Sequence, residues 1–180
     1  IAADLLSQAE HDPTSQSILM TDDSAFGDAV AAAVEAQLGN ETSTARESWT
    51  ANGAIIVLES LDDAPPLIDR LAPEHLELAV ANPDSMFSRV RHAGSVFLGR
   101  HTPEALGDYL AGPNHVLPTG RRARFSSGLS VTDFMKRTSF LSCPPEALPA
   151  LGPAAIALAT AEGLPAHARS VEIRMKGLGL

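Results

Sequence analysis

Short apolar runs alternate with segments of helical periodicity in the first part of the chain. The clearest run is Gly53 to Leu58, a continuous apolar stretch of six residues that is typical of a strand buried on both faces. Further strands are predicted at 17–20, 76–80 and 94–99, with helices over 24–38 and 61–71 between them. Because parallel strands need helical crossovers, this alternation predicts the α/β fold class, with a parallel helix-flanked sheet and a ligand site beyond the carboxyl ends of its strands.

The pattern changes after Leu129, where predicted strands give way to helices. The segments 144–163 and 167–176 are rich in helix-forming residues, and Gly152-Pro153 is expected to interrupt the first of them. We therefore predict an α/β domain at 1–129 and a helical tail at 130–180. The tail has too little strand to extend a sheet, so its apolar face is expected to need a partner, such as another subunit.

Composition and charge narrow the classes of function. The formal net charge of −9 argues against nucleic acid or an anionic membrane as the main partner. A single cysteine cannot form an internal disulfide, which fits a reducing cytoplasm. The sequence has no apolar run long enough to span a bilayer. Because the chain begins with Ile1, we expect it to be a fragment of a longer protein.

A carboxylate and an imidazole stand side by side at Glu74-His75, directly after Pro73. Adjacent residues diverge on a regular helix or strand, so both can serve one site only where the backbone is irregular, as a proline turn allows. This pair suits proton transfer near neutral pH. On these residues alone, a solvated surface turn remains the better alternative.

Three further segments carry polar side chains suited to binding. Gln8 and His11 are three residues apart on the first predicted helix, although spacing alone favours a solvent-exposed pair. The loop from Gly107 to His115 places Asp108 and His115 among glycines, and a ligand-binding loop and a self-bonded turn are equally compatible with it. The turn from Glu162 to His167 is uninformative by itself.

Taken together, these segments resemble histidinol dehydrogenase. The matching stretches, in order along the chain, are 4–13, 72–77, 93–99, 107–119, 123–131 and 162–167. That family oxidises L-histidinol to L-histidine in two NAD-dependent steps through an aldehyde, as the last reaction of histidine biosynthesis. The resemblance implies Zn2+ and NAD as cofactors, L-histidinol as substrate, and a homodimer with neither nucleic acid nor membrane as partner.

The resemblance also assigns roles to residues. Gln8, His11, Asp108 and His167 would ligate zinc, and His167 would reach the site from the other subunit. The zinc would also hold the substrate. Glu74 and His75 would be the catalytic acid/base pair, and His115 and Glu162 would contact substrate.

The resemblance covers only the C-terminal part of the family's length. It therefore predicts an incomplete Rossmann-like domain that lacks some strands, carries most zinc and substrate groups, and has no complete NAD site. Two alternative interpretations are a zinc hydrolase and a non-catalytic ligand-binding α/β module. Substitution of His75 tests the dehydrogenase hypothesis, because a dehydrogenase would lose turnover while keeping zinc. A binding module would lose nothing catalytic.

Overall fold

The computed structural model describes residues 1–39 and 43–179, which form two compact units, Ile1–Phe134 and Met135–Leu180. The helices of the first unit are α1 (Ala2–Ala9), α2 (Ser24–Leu38), α3 (Thr44–Asn52), α4 (Ala64–Leu71), α5 (Pro83–Phe87) and α6 (Glu104–Tyr109). Its strands are β1 (Ile18–Thr21), β2 (Ala54–Val57), β3 (His75–Leu78) and β4 (Ser95–Leu98). Short 3-10 turns occupy Leu61–Asp63, Arg122–Arg124 and Val131–Phe134.

The strands are parallel and helix-flanked, which confirms the predicted α/β class. They form two separate pairs instead of one continuous sheet: β1 pairs with β2, and β3 pairs with β4. In the part of the chain that the structure describes, no strand joins the two pairs. The strands of each pair are connected through helix, as parallel pairing requires.

The first strand pair is covered by helices that form the main apolar core. α2 packs on β1 and β2, and α1 packs on α2 and α3. The buried centre of this core consists of Ala2, Leu5, Val30, Val34 and Leu38. Val30, Val34 and Leu38 recur at helical spacing and are buried, which agrees with the helix predicted over 24–38, whereas Phe26 is 42% exposed. The Ser17 hydroxyl donates to the Leu5 carbonyl and ties α1 to the start of β1.

The irregular backbone expected before Glu74 is present. The residue that caps the C-terminus of α4, Ala72, adopts the left-handed conformation with φ of 47°. The Glu74 carbonyl accepts the Ser95 amide at 2.8 Å, in register with the pairing of His75 and Ser95. Gly94 has to be glycine here, since a Cβ would lie 2.6 Å from that carbonyl.

Helix α6 lies against the face of β3 and β4 that carries His75 and Glu77. It approaches closely because Gly107 lacks a side chain: a Cβ there would lie 2.3 Å from the Phe97 ring. The N-cap residue of α6, Pro103, makes no side-chain cap hydrogen bond. Instead, the Glu77 carboxylate accepts the Glu104 amide at 2.8 Å. This contact joins β3 directly to the first turn of α6.

The second unit is a pair of packed helices, α7 (Leu148–Ala161) and α8 (Pro165–Gly177), preceded by a 3-10 turn at Pro145–Ala147. α7 runs unbroken through Pro153, so the predicted interruption is wrong. The proline lacks the N–H that would donate within the helix, and the adjacent Gly152 lets Met175 pack closely against it. The tail's role in dimerisation stays a prediction.

No helix among residues 1–39 and 43–179 is both long and apolar enough to cross a membrane.

We expect Gly107→Ala to destabilise the first unit by about 1–3 kcal/mol, because the added methyl group overpacks against Phe97. Thermal unfolding followed by circular dichroism measures this change. Gly177→Ala is the matched control: it is also a helical glycine, but its Cβ would meet nothing within 4 Å. Equal stability of the two variants would contradict the proposed role of Gly107.

Candidate active site

Three separated segments converge on the imidazole of His75. Gln8 comes from the last turn of α1, His75 is the first residue of β3, and Glu104 and Asp108 come from α6. The side chains of His75, Glu104 and Asp108 are 10%, 9% and 23% exposed. They form a mostly buried polar cluster against the ring of Phe97, whose centroid lies 6.0 Å from that of His75.

The two nitrogens of the His75 ring have different surroundings. Nδ1 lies 3.1 Å from Gln8 Oε1, within hydrogen-bonding distance, and 3.4 Å from Glu104 Oε1. Nε2 lies 3.9 Å from Asp108 Oδ1, which is too long for a hydrogen bond. Nε2 is buried, and the described residues provide it with no hydrogen-bond partner. It is therefore the ring atom available to a ligand or a proton.

The position of this cluster differs from the sequence expectation. His75 stands at the start of β3, so the site does not lie beyond the carboxyl ends of the strands. The reason is the course of α6, which starts beside Glu77 and brings its second turn back to His75. Glu104 and Asp108 are four residues apart and so project from one face of this helix.

Burial changes the acid strength of these groups. Burial, reinforced by the charge of Asp108, raises the pKa of Glu104 from its usual 4.5 to about 7. Burial likewise raises the pKa of Glu74 and lowers the pKa of His75. Since burial opposes charge on each of them, the site holds three groups that are driven toward neutrality and suited to exchanging protons.

His11 lies in the turn after α1 instead of on the helix. Its Nδ1 is 2.7 Å from the Ser7 carbonyl, which fixes that nitrogen as the donor and leaves Nε2 free. This is the usual arrangement of a histidine that ligates a metal through its other nitrogen. The charge of His11 affects the pKa values of Glu74, His75 and Glu104, so its ring lies near the cluster.

The donor set fits a divalent metal. Three possible ligand atoms lie within 4.8 Å of one another, one each from His75, Glu104 and Asp108. Two of the predicted ligands, Gln8 and Asp108, border the same space, because they flank the two nitrogens of His75. Mixed nitrogen and oxygen ligands are those that zinc accepts.

Three of the predicted site residues are exposed. His115 is exposed, and the neighbouring Asn114 side chain accepts the Val116 amide at 2.7 Å, as in the self-bonded turn that was the alternative for this loop. Glu162 and His167 are exposed on the second compact unit. Their assigned roles stay predictions.

Sequence reasoning missed Glu104 and Glu77. The available signal was the spacing of Glu104 and Asp108, which predicts two carboxylates on one helix face. The alternation of His75 and Glu77 along β3 also places both on one sheet face. What no pattern indicated was that this helix face and this sheet face pack together.

The raised pKa of Glu104 predicts a specific dependence of stability on pH. The folded state keeps the Glu104 proton up to pH about 7, whereas the unfolded state releases it near 4.5. Glu104 therefore contributes stability that is complete below 4.5 and is lost as the pH rises through about 7. Relative to Glu104→Gln, the wild-type free energy of unfolding should fall by on the order of 3 kcal/mol across this range.

Denaturant titrations at a series of pH values measure this difference. Glu59→Gln, which alters an exposed carboxylate, serves as the control and should follow the wild-type profile. Parallel profiles for wild type and Glu104→Gln would mean that Glu104 titrates normally in the folded chain.

Comparison with known proteins gives the family. The family model described as histidinol dehydrogenase matches residues 1–175. Histidinol dehydrogenase from Zymomonas mobilis is 67% identical over 177 residues, covering 97% of this chain and 41% of the relative. The enzyme of that name from Rhodospirillum rubrum is 62% identical over 178 residues, again 97% of this chain and 41% of the relative.

The fold agrees with a solved structure. The crystal structure of histidinol dehydrogenase from Elizabethkingia anophelis matches with a TM-score of 0.91 and 39% identity, over 99% of this chain and 42% of that chain. The chain spans about two-fifths of the length of these relatives. Since the family model and the relatives match nearly every residue, this chain belongs to the histidinol dehydrogenase family.

Proposed function

We propose that the protein containing this chain oxidises L-histidinol to L-histidine through histidinal, with NAD as oxidant, as the last step of histidine biosynthesis. The observation that carries this proposal is the buried cluster around His75, found in a chain whose family match extends over residues 1–175. Such a cluster supplies the proton transfers that alcohol and aldehyde oxidation require.

His75 is the group that accepts the proton of the substrate alcohol. Its Nε2 is buried and unpartnered within the described chain, so its lone pair is available at the site. NAD, bound by groups that the wider protein supplies, would accept the hydride that leaves the same carbon. Burial lowers the pKa of His75, which keeps the ring neutral and able to act as a base at neutral pH.

Glu74 is the base for the second oxidation, in which the aldehyde must first be hydrated. Its pKa is raised by burial, which makes its carboxylate a stronger base toward water. The charge of His11 opposes this rise in the pKa of Glu74. His75 thus accepts the proton of the alcohol in the first oxidation, and Glu74 accepts the proton of water in the second.

Gln8, His11 and Asp108, with His167 of a second copy, are the proposed zinc ligands. Zinc bound there would orient the substrate through its imidazole and amine and would carry no redox change. The hydrogen bond of His11 to the Ser7 carbonyl supports this role, because it orients the ring for ligation. His115 and Glu162 are proposed to contact substrate, and a homodimer would complete the site. The cytoplasm is the proposed location.

Removal of a zinc ligand should abolish metal-dependent substrate binding. We expect calorimetry to detect L-histidinol binding to the zinc-loaded chain and none to the metal-stripped chain.

His11→Ala should weaken zinc binding by more than about 10-fold, because a ligand contributes more than the outer-shell groups whose loss has that effect. His101→Ala removes an exposed histidine and should bind zinc normally. Unchanged zinc affinity in His11→Ala would refute the ligand assignment.

Substitution of His75 tests the acid/base role in the full-length protein. His75→Asn should reduce kcat for NADH formation from L-histidinol by about 10²–10⁴-fold, because the alcohol loses its proton acceptor. Its zinc content should remain that of wild type. His101→Asn provides the control for a general effect of histidine loss. Full turnover in His75→Asn would exclude the proposed mechanism, and turnover without NAD would favour a hydrolase.

A further inference from the structure

We propose that Glu104 is a positioning residue that, together with Gln8, holds the neutral His75 ring in the tautomer with its proton on Nδ1 and its lone pair on Nε2. The use of that lone pair as the base rests on the proposed function. The tautomer itself follows from contacts within this chain and needs neither zinc, substrate nor NAD.

Two acceptor oxygens meet at Nδ1 of His75. Gln8 Oε1 lies 3.1 Å away, within hydrogen-bonding distance, and Glu104 Oε1 lies 3.4 Å away. A proton on Nδ1 is attracted by both oxygens. Above its pKa of about 7, Glu104 is mostly ionised, and a lone pair on Nδ1 would then face its negative charge in a poorly solvated setting, where repulsion is strong. The contacts at this nitrogen therefore favour the Nδ1–H form.

The other nitrogen gives independent support. Nε2 is buried without a hydrogen-bond partner in the described part of the chain, and Asp108 Oδ1 is 3.9 Å away. A proton placed on Nε2 would be a buried donor with no acceptor in range, which costs more than an unpaired lone pair. The asymmetry of the two nitrogens thus selects one tautomer.

The Glu104 carboxyl is itself held in place. Glu104 is 7% exposed, and its backbone amide donates to Glu77 Oε1 at 2.8 Å. Glu77 lies two residues after His75 on the same face of β3. The strand that carries the imidazole therefore also anchors the helix that carries the orienting carboxyl, so the two cannot shift independently.

The consequence is a base that is oriented before substrate binds. Which ring nitrogen of a histidine carries the proton is set by the hydrogen bond that the other nitrogen makes. With Nδ1–H facing Glu104 and Gln8, the lone pair of Nε2 points to the side of Asp108. When His75 gains a proton, the same Glu104 carboxylate stabilises the resulting imidazolium.

Nitrogen-15 NMR of the metal-free chain at about pH 8, where a histidine of ordinary or lowered pKa is neutral, reports the tautomer directly. The His75 signals are assigned by comparison with His75→Asn. We expect Nδ1–H to predominate in wild type. Glu104→Met, which keeps the length of the side chain without an acceptor, should raise the population of the Nε2–H form several-fold. Glu59→Met changes an exposed glutamate and should leave it unaltered.

Glu104→Gln provides a second readout that does not depend on the methionine variant folding. It keeps an acceptor oxygen but loses the charge, so the Nδ1–H form should persist while the resonance of its proton moves upfield. A predominant Nε2–H form in wild type, or an unshifted spectrum in both Glu104 variants, would overturn the proposal. Because the test needs no turnover, such a result would leave the proposed function standing, and loss of turnover alone would leave the tautomer assignment standing.

Discussion

The close contact between α6 and the β3–β4 sheet is the constraint on which the candidate site depends. Gly107 allows the approach because a side chain there would collide with Phe97, and Glu77 supplies the acceptor that the first turn of α6 lacks. With both contacts made, Glu104 and Asp108 lie beside the two nitrogens of His75. Neither a longer side chain at 107 nor an uncapped helix start would preserve this arrangement.

Burial of the cluster raises the free energy of its ionised groups, so the stability of the fold depends on the same protonation states that the proposed acid/base chemistry uses. Three carboxylates in and around the site have raised pKa values, and the imidazole has a lowered one. Each shift means that the folded state disfavours the ionised form. The free-energy cost of burying these groups is therefore coupled to the acid/base function proposed for Glu74 and His75.

Much of the fold was predictable because hydrophobic periodicity reports local burial. The pattern at 24–38 predicted α2, and the apolar run ending at Leu58 predicted β2. The errors lie where tertiary contacts decide. α7 passes through Pro153, and Met175 of α8 packs against the adjacent Gly152. Local propensity cannot register such packing, since the compensating atoms come from distant segments.

The sequence by itself determined the family, the parallel α/β class and the pairing of Glu74 with His75 at an irregular backbone, because these depend on residue order and local pattern. Only the tertiary structure brought Gln8, Glu104 and Asp108 to the same imidazole and separated the roles of its two nitrogens. Glu104 is separated from His75 by 29 positions, and Gln8 by 67. Contacts over such separations arise from the packing of helix on sheet, which no local pattern records.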